Sequence, residues 1–226
     1  MSRSKILIDL VNNTNNLESV LLRLKVILSK LENETINNWI NCEIEGYKKG
    51  DTIPPYRIIR GNAIGNYYLG GMEYKNYPVP LKFAPRALSE SILNTMIKDG
   101  IRGIFSLIES KEKIGKSFPP EICARFSRDD IKLYVSEMNV TYGVHQLDGI
   151  LAAIRNKLTD IVIKLENDFG NIDSLDIITN ETDKEIIKEV EHFIINEFHL
   201  DKSITIGDNN KIKDTHVVQS GGVNEN

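Results

Sequence analysis

Cysteine is scarce in this chain. Cys42 and Cys123 are the only two in 226 residues, and they lie far apart in sequence. That excludes a disulfide framework and the paired-thiolate spacing of a zinc ribbon. The four histidines, His145, His192, His199 and His216, show no ligand spacing, so no metal is expected. No apolar run approaches the length of a membrane span, and the first residues carry no apolar signal core. The chain is therefore expected to be cytoplasmic, reduced and away from the membrane. Neither sign of charge dominates, because 28 Lys and Arg face 32 Asp and Glu for a net charge of −4. A global attraction to phosphate backbones is excluded, which argues against nucleic acid as a partner. Lys48-Lys49, Arg57 with Arg60, and Lys111, Lys113 and Lys116 are the local basic clusters, and each reads as solvated surface. The phosphate loop, the dinucleotide fingerprint, the H-E-x-x-H helix and the G-x-S-x-G elbow are all missing, and no cofactor is expected.

What the chain does contain is helical periodicity interrupted by one β-rich stretch. Ile6, Leu7, Leu10 and Val11 predict a short first helix. Leu17, Val20, Leu21, Leu24, Ile27, Leu28 and Leu31 recur at three and four and predict a second. Asn33 is placed to cap a third, with Ile36, Trp39, Ile40, Ile44 and Tyr47 on one face and Gly46 or Gly50 at its end. Pro54-Pro55 then forbid helix, and Tyr56 to Leu69 is rich in β-formers. A bent hairpin with a third strand near Val79 to Phe83 is expected there, and Gly65-Asn-Tyr-Tyr-Leu-Gly-Gly71 reads as a bulge or turn. Helices follow from Pro85 through Met96, from Ile101 to Ile108, and weakly after Pro119-Pro120. Ile131 to Tyr142 fits helix and strand almost equally, its second half favouring strand. The longest apolar stripe, from Leu147 to Phe169, predicts a spine helix ending at Gly170. Thr182-Asp-Lys-Glu185 is a capping box opening a last helix.

These elements predict an α+β fold, a mostly α-helical domain with a small antiparallel sheet packed on the spine helix. The expected division is a domain over residues 1–172, a linker over 173–181, a C-terminal helix over 182–200 and a tail over 201–226. In the tail, Ile204 and Ile206 alternate with polar residues, Gly207, Asp208, Asn209 and Asn210 supply a turn, and Ile212 resumes the apolar pattern. A lone strand-turn-strand is barely stable in water, so this one is expected either to stack with copies of itself or a partner's strand, or to fold back on its own domain.

One constellation could carry chemistry. Glu43 lies on the apolar face of the third helix, four residues after Trp39, and Tyr47, Tyr56, Arg57 and, on the spine helix, Arg155 are its candidate companions. A buried carboxylate needs a partner, so Arg57, Arg60 or Arg155 must approach it. The resulting pair could serve an active site, as a nuclease or nucleotide-modifying toxin, but the favoured expectation is an ion pair fixing helix against sheet.

The run Trp39-Ile-Asn-Cys-Glu43-Ile-Glu-Gly46-Tyr47, continuing into Asp51-Thr-Ile-Pro54-Pro-Tyr56-Arg57, and the later Leu147-Asp-Gly-Ile150-Leu-Ala-Ala-Ile-Arg155-Asn-Lys-Leu158 resemble the AbiTii domain of prokaryotic abortive-infection systems. The resemblance covers roughly residues 5–170 by motif spacing. It implies a role in anti-phage defence and carries no biochemical activity with it; the tail adds the expectation of a homo-oligomer or a partner defence protein. Ile204-Thr-Ile-Gly207-Asp-Asn-Asn210 is similar to RIP homotypic interaction motifs, with Thr205 where that motif usually carries Gln. An adaptor or effector that assembles through its tail, a toxin enzyme, and a sensor that reads a phage protein or nucleotide signal through the Tyr56 to Leu69 hairpin are the readings this leaves.

Overall fold

The computed structural model describes residues 3–12, 17–110, 114–177 and 184–199. Helices α1 (Lys5–Asn12), α2 (Leu17–Leu28) and α3 (Glu34–Glu45) open the chain. The side chain of Asn33 accepts hydrogen bonds from the Thr35 and Ile36 amides at 3.1 and 3.2 Å, so the expected cap starts α3. After the Pro54–Pro55 break come β1 (Ile58–Arg60), β2 (Asn62–Leu69) and β3 (Met72–Pro78), then α4 (Arg86–Leu93), β4 (Asn94–Met96), α5 (Ile101–Ser110), β5 (Ile114–Phe118), α6 (Pro120–Ala124) and β6 (Leu133–Tyr142). The long α7 (Val144–Phe169) ends at Gly170, and α8 (Lys184–His199) closes the described chain.

The fold is α+β, as the periodicities predict. The strands form an antiparallel sheet of order β3-β2-β6-β5 and a small β1-β4 ribbon. Its central strands bury Ala63, Tyr67, Val135, Met138 and Val140 in one apolar cluster with Ile150, Ile154, Leu158 and Ile161 of α7. The β2–β6 register shifts between Asn66 and Tyr67, where Ser136 of β6 is the extra residue, and the glycine-rich stretch read as bulge or turn supplies the Gly70–Gly71 turn.

Four details differ from the sequence expectation. The third strand is Met72–Pro78 and not Val79 to Phe83, because Gly70 and Gly71 turn the chain at φ of 59° and 89° directly after β2. Pro78 and Pro80 lack the N–H that would carry the ladder further, and a single 3-10 turn, Leu81–Phe83, follows. The helix after Pro85 stops at Leu93, and Asn94–Met96 pairs with Ile58–Arg60 instead of continuing it. Leu133–Tyr142 is a strand throughout, held between β2 and β5. The fourth is β5, which sequence reading missed. Its residues Ile-Gly-Lys-Ser-Phe drew notice only for Lys116. Residues 178–181 of the expected 173–181 linker, Thr182 and Asp183 of the capping box, and the tail, with Ile204, Ile206, Gly207, Asp208, Asn209, Asn210 and Ile212, lie outside the described residues.

The end of α3 and the start of α5 approach each other more closely than side chains permit. A Cβ on Gly100 would lie 2.3 Å from the Ile44 carbonyl oxygen, and one on Gly46 would lie 2.8 Å from that of Lys98. Gly46 also holds φ at 100°, a conformation L side chains rarely adopt. This glycine joint brings the carbonyls of residues 97–99 beneath α3, where the candidate site lies.

Candidate functional site

Glu43 and Arg57 are both 0% exposed. The α3 stripe buries Glu43 with Ile36, Trp39 and Ile40, and the tight Pro55–Arg57 turn after the proline break aims Arg57 at it. Arg57 Nη2 lies 2.5 Å from Glu43 Oε2 and Nε lies 3.2 Å from Oε1, a bidentate pair. The Tyr47 and Tyr56 hydroxyls both donate to Oε1, at 2.5 and 2.7 Å. Arg57 Nη1 donates to the carbonyls of Ile97 and Asp99 at 3.2 and 2.6 Å, and the guanidinium rests on the Tyr47 ring at 4.8 Å. Trp39 Nε1 donates to the Tyr56 oxygen at 2.9 Å.

Every group in this cluster is used. The carboxylate accepts four hydrogen bonds and faces no solvent, whereas a general base needs a free lone pair within reach of substrate. Arg57 has spent both faces of its guanidinium on Glu43 and on backbone. Burial opposes its charge, but the Glu43 carboxylate outweighs that and holds the guanidinium above its ordinary value. Burial, with the Glu43 charge beside them, pushes the Tyr47 and Tyr56 hydroxyls well above the usual phenol range. Both tyrosines are therefore neutral donors at physiological pH, and the arrangement is a closed clamp joining α3, the 55–57 turn and the 97–99 segment.

An alkaline titration follows from those shifts. The folded-state values lie above the unfolded value of about 10, so the protonated phenols contribute stability that is complete below that pH and lost as pH rises above it. Spectrophotometric titration is expected to show Tyr47 and Tyr56 ionising only as the circular dichroism of the fold collapses. Ionisation of every tyrosine with circular dichroism unchanged contradicts the clamp.

The structure brings Glu43, Tyr47, Tyr56 and Arg57 together and leaves Arg155 out. The Arg155 guanidinium makes none of these bonds, and its backbone carbonyl accepts from the Thr159 hydroxyl at 2.8 Å. Arg60 pairs with Glu90 at 2.5 Å on the surface. The residue of α7 that reaches the cluster is Lys157, whose buried ammonium lies 5.3 Å from the centre of the Tyr56 ring and donates to the Glu197 carbonyl of α8. Sequence reading missed it, although Lys157 falls three residues after Ile154 and four before Ile161, on the apolar stripe that Arg155 sits beside. Phe198 of α8 stacks on Trp39 with ring centres 4.8 Å apart and planes 9° from parallel. A cavity of about 340 Å³ opens next to this stack, lined by Trp39, Cys42, Tyr47, Pro54, Phe198 and His199 among others. Burial and the hydrogen bond to Asp51 push the Cys42 thiol up to about 11, so it is not a nucleophile at neutral pH.

Among the described residues no three His, Cys, Asp or Glu side chains gather as they do around a metal ion, and no helix is long and apolar enough to cross a membrane. Cys42 and Cys123 are both free and buried.

The fold and the clamp define an α+β domain with a buried, hydrogen-bonded ion pair between α3 and the 55–57 turn. The model of the AbiTii family matches residues 4–192, most of the chain, and the chain belongs to that family. The match extends the likeness read from motif spacing through the first half of α8. Neither a curated protein nor a solved structure matches the chain. The family name carries an abortive-infection type of function, which is antiviral defence.

Proposed function

We propose that this chain serves abortive infection as a non-enzymatic adaptor or effector that assembles through its C-terminal segment, with itself or with a partner defence protein. The supporting observation is the closure of the Glu43 cluster. The residues best equipped for catalysis are saturated by one another, and Glu43 and Arg57 face no solvent. The sequence beyond α8 supports the assembly step, since Ile204, Ile206 and Ile212 flank a Gly-Asp-Asn-Asn turn suited to stacked strands. Light scattering on the full chain and on a truncation after Leu200 tests it. The full chain is expected to show an assembled species that the truncation lacks, and identical masses remove the assembly claim. If the protein is instead a toxin enzyme centred on Glu43, toxicity is lost in Glu43→Gln with no loss of stability.

A second reading, a sensor of a phage protein or nucleotide signal, draws support from the sheet. Tyr68 and Tyr134 are cross-strand neighbours and are 47% and 49% exposed. Exposed tyrosines in such a group suit protein recognition. Capture of a phage protein from infected cells that is abolished by Tyr68→Ser with Tyr134→Ser favours this reading.

A further inference from the structure

The β1–β4 ribbon turns an apolar pair to the surface. Ile59 is buried, so alternation along β1 places Ile58 on the opposite side, where its cross-strand neighbour is Met96; the two are 42% and 54% exposed. They line a cavity of about 590 Å³ to which α4 and β5 contribute Ser91 and Lys116. Lys98, two residues beyond Met96, lines it as well. Its place is set by the clamp, because Arg57 donates to the carbonyls of Ile97 and Asp99 on either side of it. Lys116 falls between Ile114 and Phe118 of the edge strand β5, and both of these pack against the core. Alternation therefore puts an ammonium on the core-facing side of the strand, where it rests 5.8 Å from the centre of the buried Tyr142 ring.

The charges around this cavity are unbalanced. Its one carboxylate, Glu90, is already held by Arg60 at 2.5 Å and accepts from the Asn94 amide at 3.1 Å. Among the described residues neither Lys98 nor Lys116 has an ion pair or a side-chain hydrogen bond. Two unpaired cations thus border one apolar surface, in a chain whose net charge is −4.

We propose that this cavity binds a small organic phosphate, with its dianionic head against Lys98 and Lys116 and its apolar body on Ile58 and Met96. Ammonium groups from two separate elements answer the two charges of a phosphate monoester, and the Ser91 and Thr95 hydroxyls supply further donors. The exposed aliphatic pair is stabilised by a body that removes it from water. A bare anion leaves that pair wet, and an uncharged apolar molecule leaves both cations unpaired. The Tyr142 ring seats Lys116 before any ligand arrives, which lowers the ordering cost of binding. The site does not depend on the assembly reading.

Isothermal titration calorimetry of the full-length chain with naphthyl phosphate, inorganic phosphate and naphthol tests it. Naphthyl phosphate is expected to bind at least about tenfold tighter than either of the other two, since it alone meets the cations and the apolar pair together. Lys98→Met and Lys116→Met are each expected to weaken it at least about fivefold through loss of a charge-assisted contact. Met96→Ser weakens naphthyl phosphate and leaves inorganic phosphate unchanged. Lys48→Met, which removes an exposed cation outside this cavity, leaves the affinity unchanged. All four side chains are exposed, so the circular dichroism of these variants is expected to match wild type. No binding of naphthyl phosphate at millimolar concentration overturns the site. So does an affinity that naphthol or inorganic phosphate equals, that survives both lysine substitutions, or that falls as far in Lys48→Met.

Discussion

Glu43→Gln is expected to lower the melting temperature by about 6–20 °C. Removing one member of a buried ion pair leaves the other charge uncompensated, at a cost of about 3–5 kcal/mol. For a chain of this size each kcal/mol moves the transition by about 2–4 °C. Glutamine fits the space but replaces two acceptor oxygens with one, and its amide N–H₂ then faces donors, since Tyr47, Tyr56 and Arg57 all donate to this carboxylate. Replacing both members, Glu43→Met with Arg57→Met, is expected to recover part of the loss, because no buried charge is then orphaned. The two carbonyls of Ile97 and Asp99 lose their donor in that pair, which limits the recovery. Thermal denaturation of the three proteins decides the matter. A Glu43→Gln chain that melts with wild type while losing activity in cells contradicts the clamp and restores the enzyme reading.

Leu158→Ala carries the second large effect. Leu158 is 0% exposed in the middle of α7, which packs against α1, α5, α8 and the 55–57 turn. Truncation of a buried leucine costs about 2–5 kcal/mol, the transfer free energy of the lost methyls plus the cavity they leave. A crossing point of this many elements cannot collapse onto the gap without moving several of them, which places the expected loss in the upper half of that range. Ile163→Ala on the same helix is the control. Ile163 is 37% exposed, and its loss is expected to stay within about 0.5 kcal/mol. Urea denaturation midpoints compare the two directly, and similar midpoints for both variants contradict the placement of α7 as the spine.

Much of the candidate site was legible before any coordinates. A carboxylate on an apolar helix face demands a partner, and the Pro-Pro-Tyr-Arg turn that follows was the nearest supply. Charge and motif point to Arg155 on α7, whereas helix phase points to Lys157. Lys157 is in phase with Ile150, Ile154 and Ile161, and Arg155 is not. The strand β5 escaped notice because five residues with a glycine and a lysine carry no period of their own. They are a strand because β6 offers an edge to pair with.

The sequence by itself determined the helices, since periodicity and caps are properties of neighbours within a turn or two. Asn33, Gly46 and Gly170 mark ends that local chemistry sets. It also determined that Glu43 would be paired, because the cost of burying a lone charge holds in any fold. Tertiary structure alone decided which cation answered and that the pair would be sealed. Those outcomes depend on the glycine joint at Gly46 and Gly100 and on α8 laying Phe198 across Trp39, contacts between residues 54 and 159 positions apart. Such pairings have no signature in the spacing of side chains along the chain, because they are fixed by the packing of surfaces that meet only after each element has formed.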